Sequence, residues 1–319
     1  KFTVDCQEPE GTVELSAGNS LWKNLWSAVT FGLFSNRERE KITITASDAV
    51  SPVERIQYVV LPEIISTEEE FAEREEAGEF DRLWKQWTGS GDSNELTGSF
   101  TRSPNERAAV YAKLTDAAGN VRYISSDGFV LDDAEPVWDE ITVLDINRTK
   151  SGIFNGDVSL RVRVRDPGIQ ENGGASEMIC SGLRDVYYIV KDIHDAGRED
   201  IYYILRDGQL ADGDQENGNK HASARIVRDA YREFQEDGTM GIRSLEASIT
   251  VPAWNGENGY NSNGLYVELF AADHAGNLIS ADTDGGRRIK FSIDTTVPAV
   301  SVSYDKNDPA NGRYFKENR

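Results

Sequence analysis

FSIDTTVPAV, residues 291–300, is a strand that runs into an aspartate, turns, and resumes as a strand after a proline. The same pattern stands at residues 2–9, FTVDCQEP, and at 129–136, FVLDDAEP. In each, an aromatic is followed two residues later by Val, Leu or Ile, then by Asp, with Pro four residues after the Asp. The sets are Phe2, Val4, Asp5, Pro9; Phe129, Leu131, Asp132, Pro136; and Phe291, Ile293, Asp294, Pro298. The alternating apolar positions close one strand, the Asp turns the chain, and Pro confines the residue before it to extended geometry. The pattern reads as a junction between modules. It divides the chain into 1–132 and 133–294, with 295–319 opening a third module.

Further elements recur inside the modules. KITITASD (41–48) and SLRVRVRD (159–166) alternate strictly and end in Asp, the signature of a half-buried strand. SPVERIQYVV (51–60) and SGLRDVYYIV (181–190) share one period-two pattern. VYAKLTDAAGNVRYI (110–124) and VELFAADHAGNLISA (267–281) each set Asp and Ala-Gly-Asn between apolar strands. Ala-Gly-Asn suits a tight hairpin, because Gly and Asn tolerate positive φ. Short alternating strands in this order predict an all-β protein of tandem immunoglobulin-like β-sandwiches.

What lies between the shared strands differs, and α-helical insertions are expected there, at about 61–107 and 191–250. Ser20 caps a short helix over 20–29, with Leu21, Trp22, Leu25 and Trp26 on one side. Ser66-x-x-Glu69 is a capping box. Beyond Gly78, the residues Phe80, Leu83, Trp84 and Trp87 follow at i, i+3, i+4 and i+7. In the second module, ASARIVRDAYREFQE (222–236) puts Ile226, Val227, Ala230, Tyr231 and Phe234 on one helical stripe, ending before Gly238. DGQLADGDQENGNK (207–220) reads as a mobile loop.

At 319 residues with a formal net charge of −21, the chain can hold two cores and repels phosphate backbones and anionic lipid. Nucleic acid and membrane are therefore poor partners, and no apolar run reaches the length of a membrane span. Cys6 and Cys180 lie in different modules and form neither a disulfide framework nor a zinc site. The opening at Lys1 reads as a piece of something longer.

Catalytic constellations are not signalled. His194, His221 and His274 are isolated, and no zinc, nucleophile-elbow or phosphate-loop motif occurs. Asp212, Asp214 and Glu216 alternate as calcium ligands would, but Asn217 and Ser223 stand where a loop of that type needs Gly and Glu. Asp5, Asp132 and Asp294 are read as turns or caps, with an ion at the junctions as the alternative. No cofactor and no metal are expected. The aromatic stripes carry two readings, edge cover of a sandwich or recognition face. On the second, the candidate contact residues are Phe80, Trp84, Trp87, Arg228, Tyr231 and Phe234.

SLWKNLWSAVTFGLF with KITITASDAVSPVERIQYVV, KLTDAAGNVRYISSDGFVLD and IDTTVPAVSVSYDKNDPANGRYF resemble the immunoglobulin-like repeats of large surface proteins of Gram-positive gut bacteria. The resemblance covers most of 1–135 and the framework strands of 136–319, not the insertions. It implies an exported, cell-surface, non-enzymatic segment: a monomeric string of domains of adhesin or superantigen type. The implied partner is a host extracellular protein, antibody variable domains being the specific candidate. A passive stalk is the rival, and a carbohydrate-binding accessory module a third reading.

Overall fold

The computed structural model describes residues 4–15, 31–36, 40–87, 95–102, 106–167, 169–170, 178–211, 222–226, 242–279 and 288–302. The expected helix over 20–29 and most of the stripe at 227–236 lie outside them. The first half carries β1 (Glu10–Leu15), β2 (Phe31–Ser35), β3 (Glu40–Ser47), β4 (Val53–Leu61), α1 (Glu68–Glu76), β5 (Lys85–Trp87), β6 (Glu95–Arg102), β7 (Glu106–Asp116), β8 (Val121–Ser125) and β9 (Gly128–Leu131). The second carries β10 (Val137–Val143), β11 (Val158–Arg165), β12 (Ile169–Gln170), β13 (Met178–Ile179), β14 (Leu183–Asp192), β15 (Asp195–Arg206) and β16 (Gln209–Leu210). Then come β17 (Ala222–Ile226), β18 (Ser244–Val251), β19 (Ser262–Asp273), β20 (Leu278–Ile279) and β21 (Ile289–Ile293).

Strand is the dominant element among the described residues, in two units built alike. In the first, the sheet β1-β3-β6 faces the sheet β2-β9-β7-β4-β5, with β8 also on β7. In the second, β10-β11-β18-β17 faces β16-β15-β14-β19-β20, with β21 also on β19 and β12–β13 as a small separate pair. Strand alternation explains the layers. Ile42, Ile44 and Ala46 of β3 point inward while Lys41, Thr43 and Thr45 point out. The inward set meets Ile56, Val110, Ala112, Leu114 and Ile124 of the facing sheet. Likewise Val158, Leu160, Val162 and Val164 of β11 meet Val186, Tyr188, Val267 and Leu269, while Arg163 and Arg165 face outward to Glu246 and Asp139. Each fully buried aliphatic side chain stabilises its layer by about 1.5–3 kcal/mol. A one-residue slip would turn every one of them to solvent, which pins the register.

The insertions are less helical than the sequence predicts. The one helix among the described residues is α1. Its cap is Thr67, one residue later than expected: Thr67 Oγ1 accepts from Glu70 N–H at 3.1 Å. Glu68, Glu69 and Glu70 in the first turn suit the positive end of the helix dipole. Gly78, at φ 78°, then ends it, with Gly78 N–H donating to Glu75 O and Glu79 N–H to Arg74 O. A left-handed glycine at that point reverses the chain, so Phe80, Leu83, Trp84 and Trp87 share no helix. Residues 77–83 are turns, and β5 pairs with β4, Trp87 opposite Ile56.

The second correction concerns 222–226, which is strand and not helix. Arg225 stands opposite Glu246 and their side chains meet at 2.8 Å, while Ala222 and Ala224 pack on the core. Period two served by a waiting strand outweighs the helical stripe. The third is that β6 and β18, inside both supposed insertions, are frame strands. They pair with β3 and β11 along their full length.

Candidate functional site

The aromatic stripe of the first unit is divided between interior and surface. Phe71 of α1, wholly buried, stacks on Tyr111 at 4.7 Å and on Phe80 at 4.9 Å. Together with Val59, Leu61 and Ile65 these rings form a second core on the outer face of the larger sheet, with α1 as its roof. Phe80 is 1% exposed, so its ring serves packing. Trp84, half-buried, meets Phe71 edge-on at 6.1 Å, and its indole N–H is shut in without an acceptor. Trp87 lies flat over Gly98, where a Cβ would fall 2.0 Å from the ring. Leu83 stays open to solvent. Arg228, Tyr231 and Phe234 lie outside the described residues.

The corresponding face of the second unit is built from other residues. Tyr111 and Glu268 both stand five residues before the hairpin Asp. Where Tyr111 lies under a helix, Glu268 is buried among cations, 2.6 Å from Arg288 and 3.2 Å from Lys191. Beside it a ladder of half-buried rings crosses three strands: Tyr203 to Tyr187 at 5.2 Å, Tyr187 to Phe270 at 4.8 Å. Arg206 lies over Tyr203 at 5.0 Å. Sequence reasoning passed over this ladder. Its signal was the pair of Tyr-Tyr doublets, 187–188 and 202–203, which the β14–β15 hairpin sets opposite one another.

The junction aspartates do more than turn the chain. The turns themselves are as expected: Asp5, Asp132 and Asp294 each accept the N–H of the residue two further on, at 2.9–3.0 Å. The hairpin Asp of each unit clasps its Asn in the same way. Asp116 accepts Asn120 N–H and side-chain amide, both at 2.8 Å, and Asp273 accepts those of Asn277 at 2.8 and 2.7 Å. Gly119 and Gly276, at φ 93° and 94°, make both turns possible. The fold then draws three distant aspartates together, twice over. They are the junction Asp, the Asp closing the alternating strand, and the hairpin Asp. The sets are Asp5, Asp48, Asp116 and Asp132, Asp166, Asp273, with carboxylate oxygens of each set within 4.8 Å of one another.

The second set is wholly buried. Two ionised carboxylates 4.8 Å apart repel by roughly 3 kcal/mol at a protein's effective dielectric. Burial pushes Asp273 up to about 6, against the hydrogen bonds from Asn277 and with the Asp132 charge adding. Burial also raises Asp132, against the N–H groups of Ala134 and Ser181. Arg243 directs its guanidinium to the main-chain carbonyls of Asp166 and Pro167. Cys180 beside them is inert: burial, with Asp166 next to it, pushes its thiol up to about 12.

His194 and His274 stand at opposite ends of β14, roughly 30 Å apart by strand rise, and share no site. Among the described residues no helix is long and apolar enough to cross a membrane.

No family model matches the chain, and no curated protein matches it. Among solved structures, one match is a structure bearing on the host cell surface retention of a 1.5-MDa bacterial ice-binding adhesin. Identity is 10%, the TM-score 0.29, and the match covers 80% of this chain and 58% of that one. Another is the C-terminal domain of the Streptococcus pyogenes antigen I/II-family protein AspA. There the identity is 10% and the TM-score 0.28, over 89% of this chain and 99% of the other. Likenesses at this level say nothing of what this chain binds.

Proposed function

We propose that this chain is a non-enzymatic segment of a bacterial cell-surface protein. It works outside the cell as immunoglobulin-like modules in series, and its decorations hold a host protein. Antibody variable domains are the specific partner proposed, on the strength of the sequence resemblance. One observation supports the reading: the two units keep one frame and differ in what lies upon it. Junction, alternating strand and hairpin recur, the junction and the hairpin with the same hydrogen bonds. The outer sheet faces carry α1 with its acidic first turn in one unit and the Tyr203–Tyr187–Phe270 ladder in the other. Aromatic and arginine side chains are the usual anchors of protein interfaces.

The test is retention of polyclonal immunoglobulin on the immobilised chain, followed by its Fab and Fc fragments separately and by a glycan array. Retention of Fab but not Fc is expected, reduced at least tenfold by Tyr203→Ala or Leu83→Asp in folded protein. A passive spacer is the second reading, favoured by the burial of Phe80. No retention of any fragment or glycan would select it.

A further inference from the structure

We infer that Asn263–Gly264 is a self-modification site, where the Gly264 main-chain nitrogen closes on the Asn263 side chain to give a succinimide that water opens to aspartate or isoaspartate. Such a ring closure needs an unobstructed nitrogen, a base for its proton and an acid at the amide oxygen. The start of β19 supplies all three. Gly264 lies against Ile193, where a Cβ would fall 2.2 Å from Ile193 Cγ1, so only glycine fits and the nitrogen carries no side chain beside it. Its N–H donates to Ser262 Oγ at 3.1 Å, and Ser262 Oγ donates in turn to Asp192 Oδ1 at 2.9 Å. That is a relay from the nitrogen to a carboxylate.

On the other side, His194 Nε2 lies 2.7 Å from Asn263 Oδ1. An amide oxygen accepts, so the ring nitrogen is the donor, and it faces the atom on which negative charge develops during attack. The His194 N–H to Asp192 Oδ1 bond, at 3.0 Å, and the Ile193 N–H to Gly264 O bond, also 3.0 Å, set the β14–β15 turn over the pair. The pairing of β19 with β21 shifts register between Ser262 and Leu265, a bulge that re-aims side chains. Asn263 is exposed, so water reaches the ring once it has formed.

The atoms balance without an oxidant or reductant. The bond from Gly264 N to Asn263 Cγ forms, and the Gly264 proton leaves through Ser262 to Asp192. The Cγ–Nδ2 bond breaks, and Nδ2 departs as ammonia with a proton from His194. Solvent returns the proton from Asp192 to His194, and water then adds across one bond of the ring.

Two other Asn-Gly pairs lack the full set. Asn255 Oδ1 accepts from the N–H groups of Glu257 and Asn258 at 3.1 and 3.0 Å, but among the described residues no base meets Gly256 N–H. Asn155–Gly156 has neither acid nor base among them. The product at Asn263 adds a carboxylate to a groove of about 640 Å³ lined also by Asp192, His194, Asp195 and Asp294. That end of the second unit therefore gains negative charge with age, whichever partner the chain holds.

The experiment incubates the whole folded chain at neutral pH and follows each Asn-Gly pair by peptide mapping and mass spectrometry. Conversion at Asn263 should outrun that at Asn155 and Asn255 by at least about tenfold, and the advantage should vanish in urea. Asp192→Asn, which keeps the acceptor and removes the base, and His194→Ala, which removes the donor, should each slow Asn263 by at least about tenfold in folded protein. Should either fail to fold, Ser262→Ala breaks the relay alone, and the native-against-urea comparison still decides. Conversion at Asn263 no faster than at Asn155, an advantage that persists in urea, or an unchanged rate in the folded variants would overturn the inference.

Discussion

Replacing Phe71 by alanine tests whether α1 belongs to the core of the first unit or merely leans on it. The side chain is 0% exposed and contacts four rings: Tyr111 at 4.7 Å, Phe80 at 4.9 Å, Tyr123 at 5.4 Å and Trp84 at 6.1 Å. Truncating a buried phenylalanine costs about 3–5 kcal/mol from lost transfer energy and the cavity left behind. Aromatic pairing adds about 0.5–1.5 kcal/mol for a well-placed pair. Collapse of the roof is limited, because Arg74 holds it from above by ion pairs to Glu63 and Glu79, and Lys113 reaches Glu75 at 2.6 Å. A loss of about 4 kcal/mol is therefore expected. In a unit of this size that lowers the unfolding midpoint by roughly 10–15 °C. Thermal unfolding followed by tryptophan fluorescence reads the first unit through Trp84 and Trp87, and the transition of the second unit should stay in place. A loss under about 1 kcal/mol would refute the docked-helix account and return the stripe to the surface. Leu83→Ala, 48% exposed, is the control and should move the midpoint little.

Three further outcomes follow from single contacts. Gly98→Ala sets a Cβ into the Trp87 ring, so it should cost about 1–3 kcal/mol and red-shift the fluorescence of Trp87, whereas an unchanged spectrum would contradict the packing. Tyr111→Phe removes the hydroxyl that Ile65 N–H bonds at 2.6 Å; leaving that buried N–H alone should cost about 1–3 kcal/mol in urea unfolding. In native protein a maleimide should label Cys6 and spare Cys180, whose thiol is buried and pushed up to about 12, with both labelled in denaturant. Equal native labelling would show that the second unit is open.

The frame was legible because its signals are local. KITITAS and SLRVRVR alternate without a break, and a strand with one wet face needs nothing else to be read. The Ala-Gly-Asn hairpins and the Asp-x3-Pro junctions are turn chemistry, decided within five residues. The additions to the frame were legible only in part. Phe80, Leu83, Trp84 and Trp87 sit at helical spacing, yet Gly78 in the left-handed region ends the helix first, and the tryptophans then pack from a turn and an edge strand. ASARI reads as the opening turn of a helix, and only the unpaired edge of β18 makes it a strand. The Tyr187 ladder depends on which strands neighbour one another, and no local pattern carries that.

The sequence by itself determined the strands, the repeat and the turn aspartates, because each follows from the dihedral preferences and side-chain alternation of a few adjacent residues. Only the tertiary structure decided that Phe80 faces inward, that the two outer faces differ, and that aspartates more than a hundred residues apart share one buried space. Those outcomes rest on strand pairing at long range, where the free energy lies in contacts between segments that carry no mark of one another.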